Sequence, residues 1–178
     1  MLEVFCKDRK RWSYTFQSCA LLSRFQNIEN SIKQRSSLKL ESTKSSAIEV
    51  IEREVFITER CLDTDFHVFT KMLRDEKSIN KLEFEIYDRL YQHLKSTSTP
   101  LSAIIHVSTD PEECLKRIAF RNRAGEKEIT QEYLTNLELC QSAWITSCAV
   151  PVLRSDQTSV ILSEVESFIQ RILTDKQT

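Results

Sequence analysis

The sequence predicts an α/β domain with a mostly parallel sheet, because helical patterns alternate with short strands along its 178 residues. Two further observations support this. Ala103-Ile104-Ile105-His106-Val107 is a continuous apolar run that fits a strand buried on both faces, and Val150–Leu153 repeats the pattern more briefly. The long periodic segments carry no internal Gly or Pro.

The elements follow in order. Trp12 to about Asn30 suits a helix buried on several sides by Phe16, Cys19, Leu21, Leu22 and Phe25. Ser13, Gln17, Ala20 and Arg24 share one face of it, a polar stripe in an apolar setting. Residues 30–47 are rich in Ser and Lys and read as a surface loop or a frayed helix end. Glu54–Thr58 is rich in β-formers and is expected to be a strand running into Glu59-Arg60. Phe66–Leu73 reads as a helix. Ser78 is the expected cap of an amphipathic helix marked by Ile79, Leu82, Ile86, Leu90 and Leu94, which Ser96–Pro100 breaks. After the Ala103–Val107 strand, Asp110 at the N-cap, Pro111 at the first helical position and Glu113 two residues later start a helix. Further helices are expected from about Thr130 to Ile145 and along Ile161, Val165, Phe168 and Ile172. Three strands are few for a doubly covered sheet. The chain reads as one domain, residues 1–178.

Composition narrows the function. Net charge is −1, which argues against a general nucleic-acid or anionic-membrane surface, and no apolar run is long enough to span a membrane. The chain has one glycine, Gly125, where average usage would give roughly twelve. A single glycine excludes every Gly-rich phosphate cradle from these residues. The six cysteines form no CxxC pair and read as core thiols of a reducing compartment. No targeting segment is visible, and the expected location is cytoplasmic or mitochondrial. His67, His93 and His106 are too scattered for a metal site, and His106 reads as a core histidine within its strand.

Three constellations could carry chemistry. Arg117 and Arg121 lie four apart on one helical face, with Arg123 close behind. Guanidinium forks match phosphate oxygens and stabilise charge on a transferring phosphoryl group. On spacing alone, a solvated face paired with Glu112, Glu113, Glu126 and Glu128 explains them better. Glu59-Arg60 stands at a strand's C-terminal end, where ligands bind in open α/β sheets; the acid could help hold a metal and the Arg could reach a phosphate, or the two could form a simple salt bridge. Asp65 with Arg24 and Gln17 could read the hydrogen-bonding edge of a base, and Phe16 and Phe69 could cover its faces.

At this point the residues become recognisable as a pattern. Arg11-Trp12-Ser13-Tyr14-Thr15-Phe16-Gln17 through Arg24, Phe56-Ile57-Thr58-Glu59-Arg60-Cys61 with Asp65, Ile105 through Ile118, Arg121-Asn122-Arg123, and Glu126–Ile129 occur in an order and spacing that resemble the deoxynucleoside kinases. The resemblance covers nearly the whole chain. It implies a P-loop kinase-type parallel sheet flanked by helices, here without its first two strands. It also implies a phosphotransferase that passes the γ-phosphoryl group of ATP to a deoxynucleoside 5′-hydroxyl with Mg²⁺, and a homodimer.

Residue by residue, the resemblance implies that Gln17 hydrogen-bonds the base and that Arg24 and Asp65 read its edge between Phe16 and Phe69. Glu59 would help hold Mg²⁺ and Arg60 would bridge towards the 5′-hydroxyl and phosphates. Arg117, Arg121 and Arg123 would form a lid over the ATP phosphates, with Arg117 also near the adenine, and Glu126 would approach the sugar 3′-hydroxyl. The Arg24/Asp65 pair and Ala20 lean towards cytidine- and purine-type substrates. The departures are specific. The chain has no Walker A loop and no candidate for the general base, Cys61 replaces a serine, and the family's sugar-contacting tyrosine falls near Cys6. These departures point to an N-terminally truncated kinase that is inactive alone. The alternative is a non-catalytic partner that pairs with a full-length kinase through the helices around Phe16–Phe25 and Ile79–Leu94. At Cys61, an inert substitute for serine is favoured over a reactive thiol beside arginines.

Overall fold

The computed structural model describes residues 1–42, 54–156 and 162–175. Helices dominate. Helix α1 (Leu2–Lys7) leads into the long α2 (Arg9–Ser42). Helix α3 is continuous but changes pitch, from Leu62–Thr64 through a π-helical stretch, Asp65–Thr70, to Lys71–Asp75. Then follow α4 (Lys81–Thr97), β1 (Ile104–Ser108), α5 (Pro111–Arg121), a 3₁₀ turn (Glu126–Glu128), α6 (Gln131–Ser147), β2 (Val152–Asp156) and α7 (Leu162–Asp175). The two strands pair in parallel, Ile104 opposite Val152 and Ser108 opposite Asp156. The α/β expectation therefore holds, as a two-stranded parallel sheet flanked by helices.

Several expectations need correction. Glu54–Thr58 is not a strand. Its backbone joins no ladder, and Val55, Phe56 and Ile57 stand exposed, Ile57 at 70%. β-branched residues favour a strand only where a neighbouring strand completes the hydrogen bonds. Of the two readings for 30–47, a surface loop or a frayed helix end, the loop does not hold as far as Ser42, where the chain is helical, and residues 43–47 lie outside the described residues. Lys33, Gln34, Arg35, Leu38, Lys39 and Leu40 are good helix formers, and they outweigh the serines. Asn80, not Ser78, caps α4: its side chain accepts from Glu83 N–H at 3.0 Å and Glu83 returns to Asn80 N–H at 2.9 Å. The buried face of α4 is Tyr87, Tyr91 and Leu94, whereas Leu82 and Ile86 face outward. β1 is half-buried at its start and exposed at Val107 and Ser108, so His106 is half-buried rather than a core histidine. Ile161 lies outside the described residues.

Two apolar clusters hold the helices. Phe5, Met72, Leu73, Ile79 and Tyr133 join α1, α3 and α6, with Phe16 stacked on Phe5 at 4.5 Å. Leu21, Leu62, Tyr87, Tyr91 and Leu94 join α2, α3 and α4. α3 lies between these clusters, so burial on both sides fixes its position. No helix among the described residues is long and apolar enough to cross a membrane.

Candidate functional site

The polar stripe of α2 faces inward. Ser13, Gln17 and Leu21 are fully buried, and Arg24 extends the row towards the π-helical start of α3. There the Arg24 guanidinium grips Asp65 with two bonds, Nε to Oδ2 at 2.6 Å and Nη2 to Oδ1 at 3.2 Å. Its third arm, Nη1, donates to the Glu59 carbonyl at 2.8 Å. This bidentate geometry is the strong form of the arginine–carboxylate contact. The Asp65 side chain is only 2% exposed. Burial raises its carboxyl above the ordinary 3.8, while Arg24 and then Arg60 pull it down. The Gln17 side chain is equally buried. A cavity of about 210 Å³ beside the pair is lined by Arg24, Asn27, Ser31, Thr58 and Glu59. A larger one of about 510 Å³, around Arg74, Ile79 and Phe84, holds none of the candidate residues.

The Glu59-Arg60 turn is strained. Arg60 has a φ of +67°, a left-handed conformation that is costly for a residue with a Cβ. Thr58 Oγ1 braces it by donating to the Arg60 carbonyl at 2.8 Å. The Arg60 guanidinium lies over the Phe69 ring, 4.6 Å from its centroid, so one face of that phenyl is covered. The Glu59 side chain is 90% exposed, and its contact with Arg60 Nε is 3.9 Å. Glu59 fits Mg²⁺ as a single hard oxygen ligand, since this ion is usually held by one or two carboxylates together with substrate phosphates. No three His, Cys, Asp or Glu side chains converge on a metal position among the described residues. Cys61 starts α3. Its N–H approaches Thr64 Oγ1 at 3.4 Å, and burial raises its thiol, which fits a small inert residue better than a nucleophile.

The second group of candidates lies apart from the first. Asp110 caps α5 through Glu112 N–H at 2.7 Å, as the sequence predicts. No residue of α5 is buried, and Phe120 is 94% exposed. Arg117 pairs with Glu113 on its own helix at 3.1 Å. Arg121 and Arg123 both turn to Glu126, at 2.8 and 3.9 Å, and the Glu126 side chain is itself buried. These are the carboxylate partners that spacing alone suggested for the arginines. Gly125 sets this arrangement. Its φ is +87°, and an added Cβ would lie 2.6 Å from the Glu3 Cα of α1. Cys6, half-buried on α1, has its thiol raised by burial; Glu126 and Glu128 add to the shift and Arg9 opposes it.

Some residues with a structural part here escaped the sequence reading. Tyr91 OH donates to Asp63 Oδ1 at 2.7 Å, and Lys95 Nζ donates to Tyr91 OH at 2.9 Å. The available signal was the i, i+4 spacing of Tyr91 and Lys95, together with an Asp two residues before Asp65.

The chain is similar to known proteins over almost its whole length. A model of the family described as "Deoxynucleoside kinase" matches residues 1–177. Deoxycytidine kinase of Mus musculus is 29% identical over 97% of this chain and 66% of its own length. The mitochondrial deoxyguanosine kinase of Xenopus laevis is 30% identical over 82% of this chain and 52% of its own. Deoxyadenosine kinase of Dictyostelium discoideum is 29% identical over 86% and 56%. The chain thus spans between about half and 66% of the length of these relatives. With the match running from the first residue to within one of the last, this chain belongs to the deoxynucleoside kinase family.

Proposed function

We propose that this chain forms the nucleoside-binding pocket and arginine lid of a deoxynucleoside kinase, acting in transfer of the ATP γ-phosphoryl group to a deoxynucleoside 5′-hydroxyl. The observation that carries this is the buried bidentate Arg24–Asp65 pair, with the buried Gln17 side chain on the same face of α2 as Arg24. A pocket of this kind offers a base edge fixed donors and an acceptor in a dry setting, where each is worth more than in water. The pair favours a deoxycytidine or purine deoxynucleoside over thymidine. Phe16 and Phe69 flank the ring, and Arg60 leaves Phe69 to reach the 5′ end. Glu126 turns to the sugar while Arg117, Arg121 and Arg123 turn to the ATP phosphates. Mg²⁺, held by Glu59, would offset phosphate charge.

The chain alone binds nucleoside without turning it over, because its one glycine leaves no loop to wrap phosphates. A phosphorylation assay with purified chain and all four deoxynucleosides tests this. No turnover is expected; turnover that disappears in R60A or R121A contradicts it. The homodimer, or pairing with a full-length kinase, is a second reading, supported by the exposed Leu22 on α2 and Leu82 and Ile86 on α4. Size exclusion with an intact relative tests it: a defined hetero-complex supports pairing and aggregation alone refutes it.

A further inference from the structure

Tyr91 grips α3 on both sides of Asp65. Its hydroxyl donates to Asp63 Oδ1 at 2.7 Å, and its ring stacks on Phe66 with centroids 4.2 Å apart and planes 9° from parallel. Asp63 precedes Asp65 by two residues and Phe66 follows it by one. Lys95, one turn beyond Tyr91 on α4, closes the triangle by donating to both Tyr91 OH and Asp63 Oδ1. Tyr91 is buried, and Asp63 is mostly so. The grip falls where α3 changes into its π-helical stretch, which begins at Asp65. A π turn is intrinsically unfavourable and persists only where tertiary contacts hold it. The Arg24–Asp65 bonds, made from α2, depend on that stretch keeping its register.

We infer that Tyr91, Lys95 and Asp63 form a positioning clamp that holds Asp65 in the register needed to discriminate between bases. The inference rests on the pocket reading above. The clamp touches no substrate; it acts through α3. Removing the Tyr91 hydroxyl leaves Asp63 held by Lys95 alone and lets the start of the π stretch shift, which loosens the base-reading edge without emptying the core, because the phenyl ring stays.

The test is equilibrium dialysis of the full chain with radiolabelled deoxycytidine and thymidine, with folding of each variant verified by circular dichroism. Y91F and K95M are expected to weaken deoxycytidine binding about five- to tenfold, leave thymidine binding unchanged and so erode the preference, while K95R, which keeps the charge and donors, restores it. Equal weakening for both nucleosides would mean a merely structural role and would overturn the clamp. An unchanged preference in both Y91F and K95M would overturn it too, while leaving the pocket reading intact. If the unaltered chain binds neither nucleoside, or binds both alike, the pocket reading fails and the clamp with it.

Discussion

The Arg24–Asp65 pair, proposed to read the base, and Arg117, Arg121 and Arg123, proposed to cover the phosphates, use the same chemistry, guanidinium on carboxylate, in opposite settings. Arg24 meets Asp65 inside the molecule, with both bonds formed and helices packed on either side. Arg117 and Arg121 project from a helix with no buried residue, Arg123 follows it, and all three side chains are more than half exposed. The Arg117–Glu113 pair is exposed on both sides and such pairs are worth little, often under about 1 kcal/mol, so a phosphate can displace that carboxylate at small cost, whereas Arg121 and Arg123 meet the buried Glu126. A buried bidentate pair resists such exchange. On the proposed roles, base recognition is built in before ligand arrives, whereas Arg117 waits with its charge lightly occupied.

Breaking the buried pair is expected to give the largest effect. D65A should destabilise the chain by about 3 kcal/mol, the low end for a broken buried pair because Arg24 can turn to water. Urea denaturation would measure it, and a loss under about 1 kcal/mol would place the pair with the surface bridges. G125A comes next: the positive φ and the close Glu3 backbone should together cost on the order of 2 kcal/mol and loosen the lid base from α1. The same substitution should leave deoxycytidine binding unaltered, which would separate the two regions experimentally.

A pH dependence sharpens the buried side of the comparison. Burial lowers the His67 imidazole below its ordinary 6.5. The unfolded chain then takes up a proton before the folded one does. The stability this contributes is complete above pH 6.5 and is lost as pH falls through the lowered value. His106 shifts in the same direction. Urea midpoints between pH 7 and 5 should fall, less steeply in H67Q than in the unaltered chain; parallel slopes would refute the assignment. The smallest effect belongs to the exposed Arg117–Glu113 pair, where R117A should change stability by less than about 1 kcal/mol.

How much of this was legible beforehand follows the same division. That Gln17 and Arg24 share a face of α2 could be read because helical spacing places them there, whereas the expectation that Arg24 pairs with Asp65 drew its weight from the family resemblance. The α5 cap could be read because Asp110 and Pro111 act locally. The Asn80–Glu83 capping box was also present in the sequence, but the neighbouring Ser78 obscured it. Other features depended on partners distant in sequence. Glu54–Thr58 has the residues of a strand and no ladder to join. The buried face of α4 follows its aromatics, Tyr87 and Tyr91, because both stack on Phe66 of α3 and Tyr91 hydrogen-bonds to Asp63, whereas apolar spacing alone found Leu94 but also pointed to the exposed Leu82 and Ile86. The π-helical register at Asp65 has no sequence signal at all.

Calorimetric titration of the purified chain with deoxycytidine tests the central claim most directly. The account predicts saturable one-to-one binding that is lost in D65N and retained in R121A. Absence of binding by the unaltered chain, or equal affinity in D65N, would contradict it.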